Sequence, residues 1–508
     1  MDKIIILDFG GQYCHLIARR IRDMGVYSEV VPSSIKKEEL LQIEGVKGII
    51  LSGGAASVYD VNAPGYDKNI LQIRVPVLGI CYGHQLLAFI EEGKVEKGEK
   101  GEYGVSNLKV LETNRLFEGI FGDEKVWMNH RDIVVSLPPS YSIIAATKDC
   151  PIAAFADEEK NIYGVQFHPE VSHTNIGMKI LENFVFKICN AGKSWNASQL
   201  IEGITSEIKQ NLMDKKAILG LSGGVDSSTA ALLVSNAIGK NLIAAYVDTG
   251  LMRAGETTFL KREFSGYSLN LKIINAEERF FKELKGIAEP EEKRKIIGRL
   301  FIEIFNEIAE QEKVNVLVQG TIYSDRIESG AGIHSSKIKS HHNVGGLPEQ
   351  MKLEVYEPLR ELYKDEVRAI AKSLGISDAI INRHVFPGPG FAIRILGEVT
   401  KEKTNIVRRA TLIIEEELKN AGLYNSVWMA FAVLLPVKSV GIQGDARSYK
   451  YPIVVRIIES KDAMTASFAH VPYFILEKIS TRITNEISEV NRVVYDISHK
   501  PPATMEWE

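Results

Sequence analysis

Three segments near the N-terminus carry side chains that, brought together, could open an amide bond. Gly79-Ile-Cys81-Tyr-Gly83 sets a thiol between glycines, after an apolar run and before an amphipathic one. That is an elbow pattern: a sharp strand-to-helix turn lifts a nucleophile to the sheet edge, at the positive end of a helix, which favours the reactive thiolate. Taken alone, Cys81 reads equally well as a small buried hydrophobe. Gly164-Val-Gln-Phe-His168-Pro-Glu170 delivers an imidazole after a strand, with a carboxylate two residues on. A lone histidine there is commonly structural, but with Cys81 the set supplies nucleophile, base and orienter. In Leu51-Ser52-Gly53-Gly54, paired glycines end a strand, and their bare backbone N–H groups can line an oxyanion site.

A second chemistry is written in Ser222-Gly223-Gly224-Val225-Asp226-Ser227-Ser228, between an apolar strand and the helical run that follows. The glycines let backbone approach an anion, and the serines and helix N-terminus supply donors. A Walker loop would read GxxxxGK[ST]; this loop is shorter and has no lysine, so γ-phosphoryl transfer is the less natural chemistry. The bland alternative is a Ser/Gly turn with an N-cap. Tyr246-Val247-Asp248-Thr-Gly250 ends the next strand, at the carboxyl edge where α/β sheets place ligands.

The elements that must position these groups follow from the apolar pattern. Ile4–Leu7, Gly48–Leu51 and Val75–Ile80 read as buried strands, Tyr13–Met24 and Gln85–Glu92 as helices, and their alternation predicts a parallel sheet covered by helices. Asn107–Leu111, Ile143–Ala146 and Ile162–Phe167 read as further strands, some antiparallel, and Asn175–Cys189 as a closing helix. A second α/β pattern uses strands Ala217–Leu221, Asn241–Val247, Leu271–Ile274 and Val314–Gln319, with helices Ser227–Ile238, Glu291–Glu310 and Lys364–Leu374. After Phe386-Pro-Gly-Pro-Gly390 come a helix (Glu402–Asn420), β-rich runs (Val427–Leu435, Tyr451–Ile458) and a helix (Pro472–Asn485). The expected division is 1–192, 193–385 and 386–508.

Length and composition agree. The 508 residues suggest about three domains. With 45% hydrophobic and 25% charged residues the chain is an ordinary globular protein, not a disordered one. Lys+Arg 61 against Asp+Glu 65 leaves a formal charge of −4, without the basic excess of a phosphate-reading nucleic-acid binder. The four cysteines (Cys14, Cys81, Cys150, Cys189) lack disulfide-framework or CxxC spacing. Met1–Gly10 reads as a strand rather than a leader, and no run has the roughly 18–20 apolar residues of a membrane span. A cytoplasmic protein is expected, with no membrane or nucleic-acid partner.

The elbow and the Phe-His-Pro-Glu segment resemble the class I glutamine amidotransferases, over about residues 1–190. The resemblance implies that Cys81 attacks the glutamine side-chain amide, that His168 carries the proton and Glu170 orients it, and that Gly53, Gly54 and Tyr82 form the oxyanion and glutamine site. The serine/glycine loop is similar to that of the N-type ATP pyrophosphatases. This implies ATP as co-substrate, bound by Ser222, Gly223, Gly224, Val225, Asp226, Ser227, Ser228, Val247 and Asp248, with Asp226 a candidate Mg²⁺ ligand.

The order of the pieces resembles the glutamine-hydrolysing GMP synthase family along essentially the whole chain. The supporting segments are Asp8–Gln12, Glu291–Lys295, Gln319–Thr321, Ile327–Gly330, Lys339–Pro348, Phe386–Gly390, Gly441–Arg447 and Lys500–Glu508. The implied fold class is α/β and multi-domain: an amidotransferase-like domain, a doubly wound parallel-sheet pyrophosphatase domain, and a small α+β C-terminal dimerisation domain. XMP is the implied acceptor, held by Arg294, Asp445, Lys500, Thr504 and Glu506, in a homodimer. Lys337–His342 with Arg326 is implied to close over the nucleotide. Departures from the family pattern are Ala55, His84, Arg131, Ser324 and Met505. Other acceptors (for NAD or asparagine synthesis), RNA modification and a non-catalytic scaffold are the competing readings.

Overall fold

The computed structural model describes residues 1–323, 325, 353–460 and 465–508. Ser324, the Arg326 and Lys337–His342 stretch, Ile327–Gly330 and Lys339–Pro348 lie outside the described residues. The chain divides into two compact units, Met1–Gln199 and Leu200–Glu508.

The first unit is built on nine strands: β1 (Lys3–Asp8), β2 (Tyr27–Pro32), β3 (Val46–Leu51), β4 (Val77–Ile80), β5 (Lys94–Val110), β6 (Asp123–Ser136), β7 (Ser142–Ala146), β8 (Ala154–Asp157) and β9 (Ile162–Val165). Their order is β2-β1-β3-β4-β9-β8-β7-β5-β6. The first five in that order pair in parallel and the rest antiparallel. Ile4–Leu7 in β1 and all of β4 are buried, as expected of strands covered on both faces. β2 and β6 were not evident in the sequence because each is studded with polar residues. In β6 burial alternates with period two under a charged surface, so its apolar side is a half-face rather than a run. The expected helix Asn175–Cys189 is shorter and changes pitch: α-helix Gly177–Glu182 passes into a π-helical turn, Asn183–Ile188. Asn183 Nδ2 there donates to the carbonyls of Leu116 and Glu118, both at 2.9 Å.

The second unit holds two sheets. β10 (Ala217–Gly220), β11 (Leu242–Asp248), β12 (Asn270–Asn275), β13 (Val316–Val318) and β14 (Glu354–Tyr356) form an all-parallel sheet ordered β12-β11-β10-β13-β14. β15 (Met429–Leu434), β16 (Ser439–Gln443), β17 (Ala446–Glu459), β18 (Ser467–Phe468) and β19 (Val490–Tyr495) form the other around β17. Helices Lys401–Asn420 and Tyr473–Glu486 cover it. One apolar core runs through this unit, from Ile218 and Ile243 of the parallel sheet to Phe391, Ile406, Val455 and Ile479. The first unit has its own clusters, one on each face of its sheet, typified by Ile4, Ile50 and Phe184, and by Ile5, Leu51 and Leu86.

Candidate active sites

β4 runs straight into helix Tyr82–Ile90, and Cys81 is the residue between them, at φ +54°, ψ −104°. The turn closes so tightly that a Cβ on Gly79 would meet the Gly83 carbonyl oxygen at 2.4 Å, and one on Gly83 the Leu51 carbonyl oxygen at 2.3 Å. That close approach is why the elbow needs glycine on both sides of the thiol. His168 follows β9 and is fixed by its backbone: its N–H donates to Trp127 O (3.0 Å), and its carbonyl accepts from Thr174 Oγ1 (2.6 Å). Its Nδ1 lies 2.7 Å from Glu170 Oε1, and both side chains are buried. Burial is the largest influence and opposes charge on the imidazole, but the Glu170 carboxylate and the Cys81 sulfur together overcome it and hold His168 well above the ordinary histidine range.

Gly53 lies against the pair: a Cβ there would meet His168 Cε1 at 3.2 Å and Cys81 Cβ at 3.6 Å. Gly54 backs onto Phe9 and the Tyr82 ring. The Asp8–Gln12 segment explains itself here, since a Cβ on Gly11 would meet the Gly53 carbonyl oxygen at 2.3 Å. The Tyr82 side chain is core, packed on Phe9 at 5.3 Å with its phenol pushed up to about 12 by burial. Any part it plays with the reacting groups is through its backbone. His84 also points into the core, beside Phe155 and Gly164, and burial pulls it down to about 3, so it is a neutral packing residue. Ala55 and Arg131 are exposed. Asn129, whose carbonyl lies 3.7 Å from Cys81 Sγ, and Thr174 belong to the site but carry no sequence signal of it.

In the second unit helix Val225–Ile238, with Gly224 at its N-cap, starts two residues ahead of the expected Ser227. Ser222 and Ser227 hydroxyls share a 2.9 Å hydrogen bond, and Ser227 and Ser228 both donate to Gly224 O. Gly223 sits at φ +77°, with Glu256 and Leu260 too close for a Cβ. The loop is thus internally braced around the helix N-terminus. Val225 and Val247 are buried, so their backbones, not their side chains, could face a nucleotide. Asp248 closes β11 and accepts from Gly250 N (3.1 Å) and Thr257 Oγ1 (2.7 Å). It borders a polar cleft of about 230 Å³ that Tyr246, Met252, Arg253 and Arg408 also line. Asp226 meets a residue that sequence reasoning missed: Lys364 Nζ, 2.5 Å from its Oδ2. Its other oxygen, Oδ1, is buried without a hydrogen-bond partner among the described residues.

The tail is docked. Glu506 receives Arg394 through two bonds (2.9 and 2.7 Å), and Trp507 Nε1 donates to Asp496 at 2.9 Å. Met505 and Trp507 pack on the cluster of Met429, Phe431 and Val454. Thr504 is exposed, and Lys500 bridges to Ala466. Arg294 lies near Glu508 through its helix Pro290–Glu312. Asp445 stands apart at the exposed β16–β17 turn. β17 sets it eleven residues from Arg456, about 35 Å of strand from the tail.

A glutaminase-type triad on an α/β sheet and a lysine-free phosphate loop on a parallel sheet define an amidotransferase joined to an ATP pyrophosphatase. Residues 5–188 match the family Glutamine amidotransferase class-I, residues 196–324 the family NAD synthase, and residues 416–507 the family GMP synthase C terminal domain. The chain is 53% identical over 509 residues to "GMP synthase [glutamine-hydrolyzing]" of Caldanaerobacter subterraneus subsp. tengcongensis, covering 100% of this chain and 99% of that one. It is 50% identical over 506 residues to the protein of the same name from Aquifex aeolicus, covering 99% of each. The chain belongs to the glutamine-hydrolysing GMP synthase family.

Proposed function

We propose that the protein makes GMP from XMP, ATP and glutamine. Cys81 Sγ attacks the glutamine side-chain amide carbonyl while His168 takes the thiol proton and passes it to the departing ammonia; water then releases glutamate from the thioester. Glu170, 2.7 Å from Nδ1, keeps the imidazole turned toward the thiol. At the second site a carbonyl oxygen of XMP attacks the α-phosphorus of ATP and pyrophosphate leaves; ammonia then displaces AMP. The serines and glycines of 222–228 grip the pyrophosphate, at the positive end of their helix. Mg²⁺ accompanying ATP fits Asp226, whose Oδ1 is buried without a hydrogen-bond partner among the described residues; bound there it would neutralise charge developing on pyrophosphate.

The three portions 1–192, 193–385 and 386–508 take ammonia release, adenylyl transfer, and acceptor binding with dimerisation. Arg294, Lys500, Thr504 and Glu506 hold XMP, its phosphate suited to the cations and its base N–H to the carboxylate. The β16–β17 hairpin exposes Val440 (57%), Ile442 (76%) and Tyr449 (66%), which supports a homodimer built on this face and an Asp445 that serves the partner subunit. No helix among the described residues is long and apolar enough to cross a membrane, and the protein is read as cytoplasmic.

The observation that carries this reading is the presence, in one chain, of the Cys81–His168–Glu170 triad and the lysine-free loop. Pyrophosphate release should occur with XMP and not with deamido-NAD or aspartate; release with either of those instead would reassign the acceptor. Cys81→Ala should abolish glutamine-dependent synthesis while added ammonium still supports it. Surviving glutamine use would refute the role of Cys81.

A further inference from the structure

Three buried cations meet the tail. Lys293, fully buried on helix Pro290–Glu312, donates Nζ to Ala392 O (3.2 Å), Ile395 O (2.7 Å) and Glu508 Oε2 (2.5 Å). Arg394, 2% exposed, holds both oxygens of Glu506 and lies over the Phe431 ring at 4.0 Å. Arg456, 1% exposed, reaches Thr504 O (2.5 Å), Met505 O (3.2 Å) and Asp496 (2.6 Å). The tail is therefore gripped at successive points, residues 504–505, 506 and 508.

Buried ion pairs are a poor way to gain stability, since desolvation offsets most of the attraction and an apolar side chain of equal volume does as well. What such pairs do supply is a fixed geometry, because misplacing either partner strands a charge in the interior. Burial pulls the Lys293 ammonium down and pushes the Glu508 carboxyl up, so each depends on the other to stay charged. Two features tie this geometry to a ligand. Lys293 is the chain neighbour of Arg294, so the bond that anchors Glu508 also anchors the tail to the helix that presents Arg294. Each Glu506 oxygen spends one lone pair on Arg394 and keeps another for an incoming N–H.

We propose that Lys293 and Arg394 are positioning residues for the acceptor nucleotide, holding the tail so that Thr504 and Glu506 stand in fixed register with Arg294. The inference rests on the reading that XMP is the acceptor and binds these residues. A tail already ordered spares binding the entropy of ordering it, so the effect of loosening it falls on acceptor affinity and not on the ATP loop.

The test is made on the full chain. In Lys293→Met, amide hydrogen exchange across residues 500–508 should speed up, and KM for XMP should rise tenfold or more, while KM for ATP stays within twofold. Arg394→Lys, which keeps the charge but cannot make the paired bond, should show the same split. If Lys293→Met folds poorly, Lys293→Met/Glu508→Met removes both charges and should still exchange faster in the tail. Unchanged tail exchange, or KM values for XMP and ATP that rise in equal proportion, would overturn the inference. A wild-type enzyme that releases no pyrophosphate with XMP would instead overturn the underlying reading, and the exchange data would tell the two failures apart.

Discussion

Cys81 is held at a positive φ that non-glycine residues rarely adopt, at a cost on the order of 1–3 kcal/mol. The surrounding backbone bears that cost, and the thiol gains a place beside His168 and Gly53. At this scale the central prediction concerns Glu170. Glu170→Gln keeps the hydrogen-bonding shape but removes the charge, and should lower glutamine-dependent kcat by about a hundredfold, with ammonium-dependent synthesis intact. It should also change stability with pH. Folded His168 binds its proton more tightly than the unfolded chain does, so its contribution is complete below about pH 6.5 and fades as pH rises through the raised folded value. The advantage of wild type over the variant in urea midpoint should be larger at pH 6 than at pH 9; a constant difference would refute the charge coupling. Residues of this kind were legible because their types are chemically rare in their settings. The cations that grip the tail were half-legible at best: Arg394 in Phe391-Ala-Ile-Arg-Ile-Leu396 and Arg456 in Ile453-Val-Val-Arg-Ile-Ile458 each interrupt an apolar run, a sign of a buried pair. Lys293, in Glu291-Glu-Lys-Arg-Lys295, is indistinguishable from its solvated neighbours.

Among the elements, those with continuous apolar runs were readable, and those with only an apolar half-face were not. β1 and β4 follow from composition alone, whereas β6 shows its pairing with β5 only once the two strands lie side by side. Contacts between loops are harder still, because nothing local in Gly11 reports that it lies under Gly53. That contact makes its own prediction. In Gly11→Ala the new Cβ would press on the Gly53 carbonyl oxygen, with backbone on both sides and no flexible side chain to yield. Displacing Gly53 by even an ångström should cut glutamine-dependent turnover on the order of a hundredfold while ammonium-dependent synthesis is retained. Equal losses with both nitrogen sources would mean general misfolding instead. In the second unit, the helix that begins at Val225 shows the same limit. The serine and glycine content is what suggests a phosphate loop in the sequence, but the Asp226–Lys364 pair joins residues far apart in it.

For the whole molecule, the exposed hairpin carries the prediction. Ile442→Asp puts a charge on the apolar face of the β16–β17 hairpin, and on the proposed homodimer it should sediment as a monomer where the wild-type chain sediments as a dimer. A wild-type monomer would refute the homodimer, and a dimer of unchanged mass in the variant would refute this face as its contact. The two units also differ in what an injury can reach. The largest core of residues 200–508 joins the parallel sheet to the sheet around β17, so a cavity opened at Val455 or Ile406 threatens the strands that carry the 222–228 loop as well as the sheet on which the tail packs, while the clusters under Cys81 lie in the other unit. On the proposed function, a cell carrying such a lesion would lose more than guanine nucleotide. It would keep a glutaminase with no acceptor for its ammonia, an enzyme that drains glutamine, so the harm of the variant would be greater than that of deleting the protein.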